Sequence, residues 1–170
     1  MPPTQQFLGF LNENTAVIRK VCRLYTDNHN DFRDYFQEVV LQLWKSFDSF
    51  RGDAKASTWV YRVALNVCLS QLKLKKRQVA STPIDADAAQ HWADVTYDTT
   101  EEEQIQQLYA GIRRLKELDR AIIMLYLEER SYDEMADILG ISQSNVGVRI
   151  SRIKKQLNQL IHGRTTGTLA

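Results

Sequence analysis

Residues 131–160 read SYDEMADILGISQSNVGVRISRIKKQLNQL, and the punctuation of this stretch decides the fold around it. Ser131 followed three residues later by Glu134 has capping-box spacing, in which hydroxyl and carboxylate each satisfy an orphan backbone N–H at a helix start. The spacing predicts a first helix over Tyr132–Leu139. Gly140 stops it, because glycine tolerates the left-handed conformation after a helix end. Ile141 is placed to pack inward. Ser142 can cap a second helix, with Ser144 and Asn145 as competing caps. Two helices joined by so short a Gly-containing turn match the helix-turn-helix unit, which lays its second helix in the major groove of DNA.

In that second helix Val146, Ile150, Ile153, Leu157 and Leu160 recur at three- and four-residue steps and form one buried stripe. Ser144, Val148, Ser151 and Lys155 lie opposite, with Arg149 and Arg152 on one flank and Lys154 on the other. From Gln143 to Leu160 there are four basic residues and no acidic one. Arginine can grip a guanine edge with two hydrogen bonds, and Lys or Arg can hold phosphates. A solvated basic face is the plainer reading of the charge alone. Cap, turn and stripe together favour DNA.

The remaining composition is that of a helical, soluble chain. Of 170 residues 25% are charged, and there are only 7 Gly and 3 Pro. The length suits one domain or two small ones. Cys22 and Cys68 lie on apolar helical faces, far apart in the sequence and without a second Cys or His in metal-ligand spacing. They read as core thiols in a reducing compartment. The N-terminus lacks a signal-peptide pattern, and no segment is apolar enough to span a membrane, so a cytoplasmic location is expected. The net charge of +1 hides a segregation: residues 1–80 carry +5, residues 81–112 carry −7 with no Lys or Arg, and residues 113–170 carry +3. Two basic modules flank an acidic segment.

Thr4 to about Thr26 is an amphipathic helix with Phe7, Leu8, Leu11, Val17, Ile18, Val21, Cys22 and Tyr25 as candidate core, and Asn12–Asn14 as a candidate break. Asp27–Asn30 reads as a turn. Asp31 to about Phe47 has a wide apolar stripe of Phe32, Phe36, Val39, Val40, Leu43 and Phe47. Opposite it, Leu41 stands among Asp34, Glu38 and Lys45, either as an ordinary exposed leucine or as the centre of a protein-binding patch. After the loop Phe50–Ala56, Ser57 or Thr58 is placed to cap a helix that runs to about Arg77 and buries Trp59, Val60, Val63, Ala64 and Val67. Arg62, Asn66 and Lys73 share another face. The helix ends in KLKKR, Lys73–Arg77. Cations there complement the helix dipole, but four in five residues exceed that need and point to a nucleic-acid backbone. Residues 79–104 lose the periodicity and read as a linker in which Trp92 and Tyr97 are either docked or exposed. Helices resume near Glu101–Glu103 and over about Asp119–Glu129. The tail beyond His162 is polar and reads as frayed.

In this order the parts resemble a bacterial sigma factor of the extracytoplasmic-function group of the sigma-70 family. Three blocks carry the resemblance. DFRDYFQEVVLQLWKSFDSF, residues 31–50, resembles the core-polymerase-binding helix. FRGDAKASTWVYRVALNVCLSQLKLKKR, residues 50–77, resembles the promoter-melting segment. LDRAIIMLYLEERSYDEMADILGISQSNVGVRISRIKKQL, residues 118–157, resembles the C-terminal promoter-binding domain.

The resemblance implies an all-α fold of two small helical domains: a region 2-like domain over 1–78, an acidic linker over 79–104 and a region 4-like helix-turn-helix domain over 105–170. It implies that Asp34, Gln37, Glu38 and Leu41 bind core RNA polymerase. It implies that Phe50, Arg51, Asp53, Lys55, Ser57 and Thr58 hold an unstacked base of the minus-ten element, with Arg62, Asn66, Lys73, Lys76 and Arg77 lining the DNA path. Ser144, Asn145, Val148, Arg149, Arg152 and Lys155 would meet the minus-thirty-five element.

Promoter DNA, core polymerase and an anti-sigma factor are the implied partners. No cofactor, metal or catalysis of its own is implied. The chain departs from the family pattern at Leu118-Asp119, where Leu-Pro is usual, and at Gly147 and Val148, where polar or basic residues are common. The first alternative is a stand-alone helix-turn-helix regulator, which leaves the Asp34–Leu41 patch unexplained. The second is an interaction module, which leaves the basic segments unexplained.

Overall fold

The computed structural model describes residues 3–81 and 100–162, which form seven α-helices, a single 3₁₀ turn and no strand. The all-α class is as the periodicities predict. The chain divides into two compact units, Met1–Ala93 and Asp94–Ala170.

The first unit holds α1 (Pro3–Leu24), α2 (His29–Ser46), a 3₁₀ turn (Phe47–Ser49) and α3 (Ala56–Ser81). α1 is unbroken through Asn12–Asn14, because its polar side chains bond back into the helix. Asn14 Nδ2 donates to the Phe10 carbonyl at 2.8 Å, and Thr15 Oγ1 donates to the Leu11 carbonyl at 2.7 Å. α2 starts at His29, ahead of the expected Asp31, because Asn28 is the cap: its Oδ1 accepts the Asp31 N–H at 2.8 Å. α3 likewise starts early, at Ala56, two residues before a helix capped by Ser57 would. The Lys55 carbonyl accepts the Trp59 N–H, which puts Ser57 and Thr58 inside the first turn rather than at the cap.

α3 packs against both α1 and α2, so its buried face is broader than one stripe. Val60, Tyr61, Ala64, Leu65 and Cys68 are buried, while Val63, Val67 and Trp59 are half-buried. Phe7, Ile18, Val21, Cys22, Leu24 and Tyr25 from α1 and Tyr35, Val39 and Leu43 from α2 complete the core, whereas Leu8 is exposed. Each such side chain contributes about 1.5–3 kcal/mol when removed from water. The two cysteines meet inside it: the Cys68 thiol donates to Cys22 Sγ at 4.0 Å. That hydrogen bond, reinforced by burial, raises the Cys68 pKa and keeps the thiol protonated.

The second unit holds α4 (Thr100–Arg113), α5 (Glu117–Leu127), α6 (Tyr132–Leu139) and α7 (Gln143–His162). α7 packs on α4, α5 and α6, and Val146, Ile150, Ile153 and Leu157 form its buried stripe, facing Ile112, Leu115, Ala121–Leu125, Met135 and Ile138. The capping box is present: the Glu134 N–H bonds Ser131 Oγ and the Ser131 N–H bonds Glu134 Oε2, both at 3.1 Å. Gly140 is left-handed at φ 68°, and Ser142 Oγ accepts the Asn145 N–H at 3.1 Å.

α5 begins at Glu117, ahead of the expected Asp119, which therefore sits in its first turn. The expected linker over 79–104 is helical at both ends, since α3 continues through Ser81 and α4 starts at Thr100. Its centre, with Trp92 and Tyr97, and the tail beyond His162 lie outside the described residues.

Candidate functional site

Three exposed surfaces collect the residues singled out in the sequence. The first is on α2. Asp34 and Gln37 are exposed, Glu38 is half-buried and Leu41 is 43% exposed. Leu41 lies on the lip of an apolar groove between α1 and α2, lined by Thr4, Phe7, Leu11, Phe36, Gln37, Val40, Leu41 and Trp44. The wide stripe of α2 thus does two jobs. Tyr35, Val39 and Leu43 face the core, while Phe36 and Val40 are half-buried along the groove. Trp44, 42% exposed, belongs to this surface and was not singled out by the sequence. The signal was present in its spacing, three residues after Leu41 and four after Val40, which puts all three on one flank.

The second surface is the loop after the 3₁₀ turn and the α3 face that follows it. Arg51, Asp53 and Lys55 are exposed, around a left-handed Gly52 at φ 75°. Phe50 lies face-to-face on Trp59, with ring centres 4.7 Å apart and planes 21° apart. Phe10 of α1 touches both, at 5.9 and 5.6 Å. It also meets Phe47 at 5.3 Å, and Phe47 continues through Phe7 to Trp44. One chain of rings therefore supports both the loop and the groove. Ser57 is half-buried and Thr58 is only 5% exposed, so Thr58 does not share the exposed surface of Arg51, Asp53 and Lys55.

Along α3, Arg62, Asn66, Lys73, Lys76 and Arg77 fall within a sector of the same face by helical geometry. Asn66, Lys73, Lys76 and Arg77 are exposed and Arg62 is half-buried. Lys75 turns away to an ion pair with Asp31 of α2. The helix continues to Ser81 and has no basic residue in its last turn. Dipole complementarity fades within that turn, so it does not account for the Lys73–Arg77 cluster.

The third surface is the outer face of α7. Ser144, Asn145, Val148, Arg152 and Lys155 are exposed, with Val148 at 50%. Lys154 bends towards α5, where its Nζ donates to Tyr126 Oη at 2.8 Å and lies 4.5 Å from the centre of that ring. The hydrogen bond to Tyr126 favours the ammonium and raises its pKa. Arg149 is held on two sides: Nη1 donates to Asp119 Oδ1 at 2.8 Å and Nε to Asn145 Oδ1 at 3.2 Å. Gly147 faces Tyr132 of α6; a Cβ there would sit 3.5 Å from Cε2 of that ring.

Known proteins share this plan. A family model described as Sigma-70 region 2 matches residues 10–78, and one described as Sigma-70, region 4 matches residues 105–157. The chain is 30% identical over 154 residues to the ECF RNA polymerase sigma-E factor of Haemophilus influenzae, covering 84% of this chain and 82% of that protein. Solved structures that share its fold include the following two. The sigma factor RpoE, crystallised with the anti-sigma factor NepR from Bartonella quintana, gives a TM-score of 0.70 at 20% identity over 92% of this chain and 94% of that one. CnrH, in complex with the cytosolic domain of CnrY, gives 0.67 at 17% identity over 94% and 90%.

Proposed function

The chain belongs to the extracytoplasmic-function sigma factors of the sigma-70 family, and from that membership we propose how its surfaces divide the work. It is an alternative sigma factor, which directs RNA polymerase to promoters. Sigma factors are DNA-binding initiation factors rather than enzymes, so the chemistry belongs to the polymerase. Residues 1–78 form the domain that docks on the polymerase and opens the minus-ten element. Residues 105–170 form the domain that binds the minus-thirty-five element, and the acidic 79–104 tethers the two.

In the first domain, Asp34, Gln37, Glu38 and Leu41 meet core polymerase, with Trp44 and the groove beside them supplying the apolar centre that interface hot spots need. Melting a duplex loses stacking energy, and capturing a flipped base recovers part of it. The loop of Phe50, Arg51, Asp53, Lys55 and Ser57, followed by the buried Thr58, captures that base. Arg62, Asn66, Lys73, Lys76 and Arg77 then guide the single strand along α3 by charge and hydrogen bonding. In the second domain, Ser144, Asn145, Val148, Arg149, Arg152 and Lys155 enter the major groove of the upstream element. The two solved neighbours were each caught with a partner protein, one of them named as an anti-sigma factor. A partner of that class holds this chain inactive in the cytoplasm until it is needed.

The observation that carries the reading is the apolar groove around Leu41, open among the described residues, in a chain that also has two exposed basic faces. A stand-alone operator-binding regulator leaves the patch of Asp34, Gln37, Glu38 and Leu41 beside that groove unexplained. The test is co-elution of the purified chain with core RNA polymerase on size exclusion, alongside Leu41→Asp. A surface substitution of this kind changes stability by less than about 0.5 kcal/mol. Loss of a residue at the centre of an interface costs about 2 kcal/mol or more, roughly thirtyfold in affinity. Wild type should co-elute and Leu41→Asp should fold but fail to. A folded Leu41→Asp that still binds would remove the groove from the interface. Wild type that never binds active core would overturn the reading.

A further inference from the structure

Arg149 differs from the other cations on the outer face of α7. It stands at the border between the buried stripe and that face, and its guanidinium is held at two separate nitrogens. Nε is taken by Asn145 one turn earlier on the same helix, and Nη1 by Asp119 on α5. The carboxylate is the more enclosed partner, with side-chain exposures of 14% for Asp119 and 33% for Arg149. The neighbouring Arg120 does not compete for this carboxylate through its Nε, which donates to the Leu115 carbonyl at 2.9 Å. Two of the five N–H donors of Arg149 are committed, and the rest have no partner among the described residues, in an orientation that α5 helps set.

This arrangement acts differently on the two kinds of DNA contact. Attraction to phosphates depends on net positive charge and ignores sequence. An arginine already matched by a carboxylate contributes less of it. Hydrogen bonds to a base edge depend on direction, and fixing the guanidinium favours them. We propose that Asp119 is a positioning residue for promoter selection: it aims Arg149 at one base pair of the upstream element and withholds it from the phosphate backbone. The proposal rests on the reading of α7 as the DNA-contacting helix. Asp119 also lies in the first turn of α5, where any acid is favoured by the helix dipole. That merely structural role predicts no change in base preference.

The experiment uses the full chain bound to core RNA polymerase and a pool of promoter fragments randomised over the upstream element. Wild type, Arg149→Ala, Asp119→Asn and the double variant are each measured for preference at every position and for salt dependence. Arg149→Ala should flatten the preference at one base pair. Asp119→Asn should weaken preference at that same base pair by at least about fivefold. Its total binding to the pool should hold or rise, and its slope of log affinity against log salt should steepen by up to about one. The double variant should match Arg149→Ala at that position.

If Asp119→Asn keeps the wild-type preference, Asp119 is only a structural acid and the proposal fails, while the role of Arg149 stands. It also fails if Asp119→Asn lowers every preference alike in step with stability, or weakens that base pair further when Arg149 is already gone. If Arg149→Ala leaves every preference intact, the reading of Arg149 itself fails and the proposal falls with it. Asp119→Ser, which suits a helix start equally, serves under the same criteria should the amide not fold.

Discussion

Glu129 is the sole non-glycine residue at positive φ among the described residues, at 57°. It ends α5 in a closed turn: its own N–H bonds the Tyr126 carbonyl at 3.0 Å, and the Arg130 N–H bonds the Leu125 carbonyl at 3.1 Å. These are the paired bonds of a Schellman turn, whose left-handed position is usually glycine. A side chain there costs about 1–2 kcal/mol. Glu129→Gly removes that strain, while the extra freedom of glycine in the unfolded chain takes back about 0.5–1 kcal/mol. The Glu129 side chain is exposed, so little packing is lost. The net expectation is a gain of about 0.5–1 kcal/mol, or about 2–8 °C in the melting of a unit this small.

Gly140 offers the opposite experiment at nearly the same backbone angle. A Cβ there meets nothing within 4 Å, so Gly140→Ala isolates the backbone term and should destabilise by about 1 kcal/mol. Amide hydrogen exchange in α5, α6 and α7 of the full chain reads both changes without interference from the first unit. A Glu129→Gly chain no more stable than wild type, or a Gly140→Ala chain no less stable, would refute backbone strain as the controlling term. These turns flank α6 and set how α7 is presented, so Glu129→Gly, which preserves the backbone angle, should leave promoter preference unchanged.

Two further outcomes are expected. Gly147→Ala should stabilise the second unit by about 0.5–1 kcal/mol, because it lies within α7 and its Cβ makes only ordinary contact with Tyr132; a melting temperature that falls would mean that α6 and α7 need the missing methyl's space. Alkali should weaken the first unit. Burial, then the nearby Asp31, pushes the Tyr35 pKa up to about 12, and Cys68 is raised by its hydrogen bond to Cys22 and by burial. The unfolded chain releases these protons near pH 9 and 10 while the native chain keeps them, so stability is intact below about pH 9 and falls as pH rises towards 12. Urea midpoints across that window should fall for wild type and fall less for Tyr35→Phe; equal falls would acquit Tyr35.

The legible parts of this chain are those whose signals are local. The Ser131–Glu134 box, Gly140, the Ser142 cap and the α7 stripe all lie within one or two turns of what they determine, and the structure has each of them, with the stripe buried from Val146 to Leu157 and only half-buried at Leu160. The α2 stripe was legible as apolar but not as to what covers it. Periodicity reports a face, and the same pattern serves the buried Val39 and the groove-lining Phe36 and Val40. Glu129 carried no signal, because the residue type that marks a left-handed turn is glycine and this turn closes through backbone hydrogen bonds alone. The contact between Cys22 and Cys68, 46 residues apart, and that between Asp119 and Arg149, 30 apart, join different helices. Helical spacing says nothing about which residue on another helix a face will meet. Asp119 could be seen only as a departure from Leu-Pro until its partner was visible.

Those same long-range pairs change what the charge pattern means. Counted along the sequence, Lys73–Arg77 and Arg149–Lys155 are two blocks of four cations each. In the fold, Lys75 is paired with Asp31, Arg149 with Asp119, and Lys154 is drawn to Tyr126. Lys73, Lys76 and Arg77 on α3, and Arg152 and Lys155 on α7, stay exposed. Each cation matched by a carboxylate, here Lys75 and Arg149, adds less to the sequence-independent pull of phosphates, a term that applies equally to every stretch of genome. A factor that must find few promoters among many competing sites gains from weakening that term at residues that also read bases. In the role proposed for Arg149 the two demands meet on one side chain, and the acid that balances it comes from α5 rather than from α7. Basicity read from the sequence therefore overstates the net charge that α3 and α7 present, because carboxylates on other helices answer part of it.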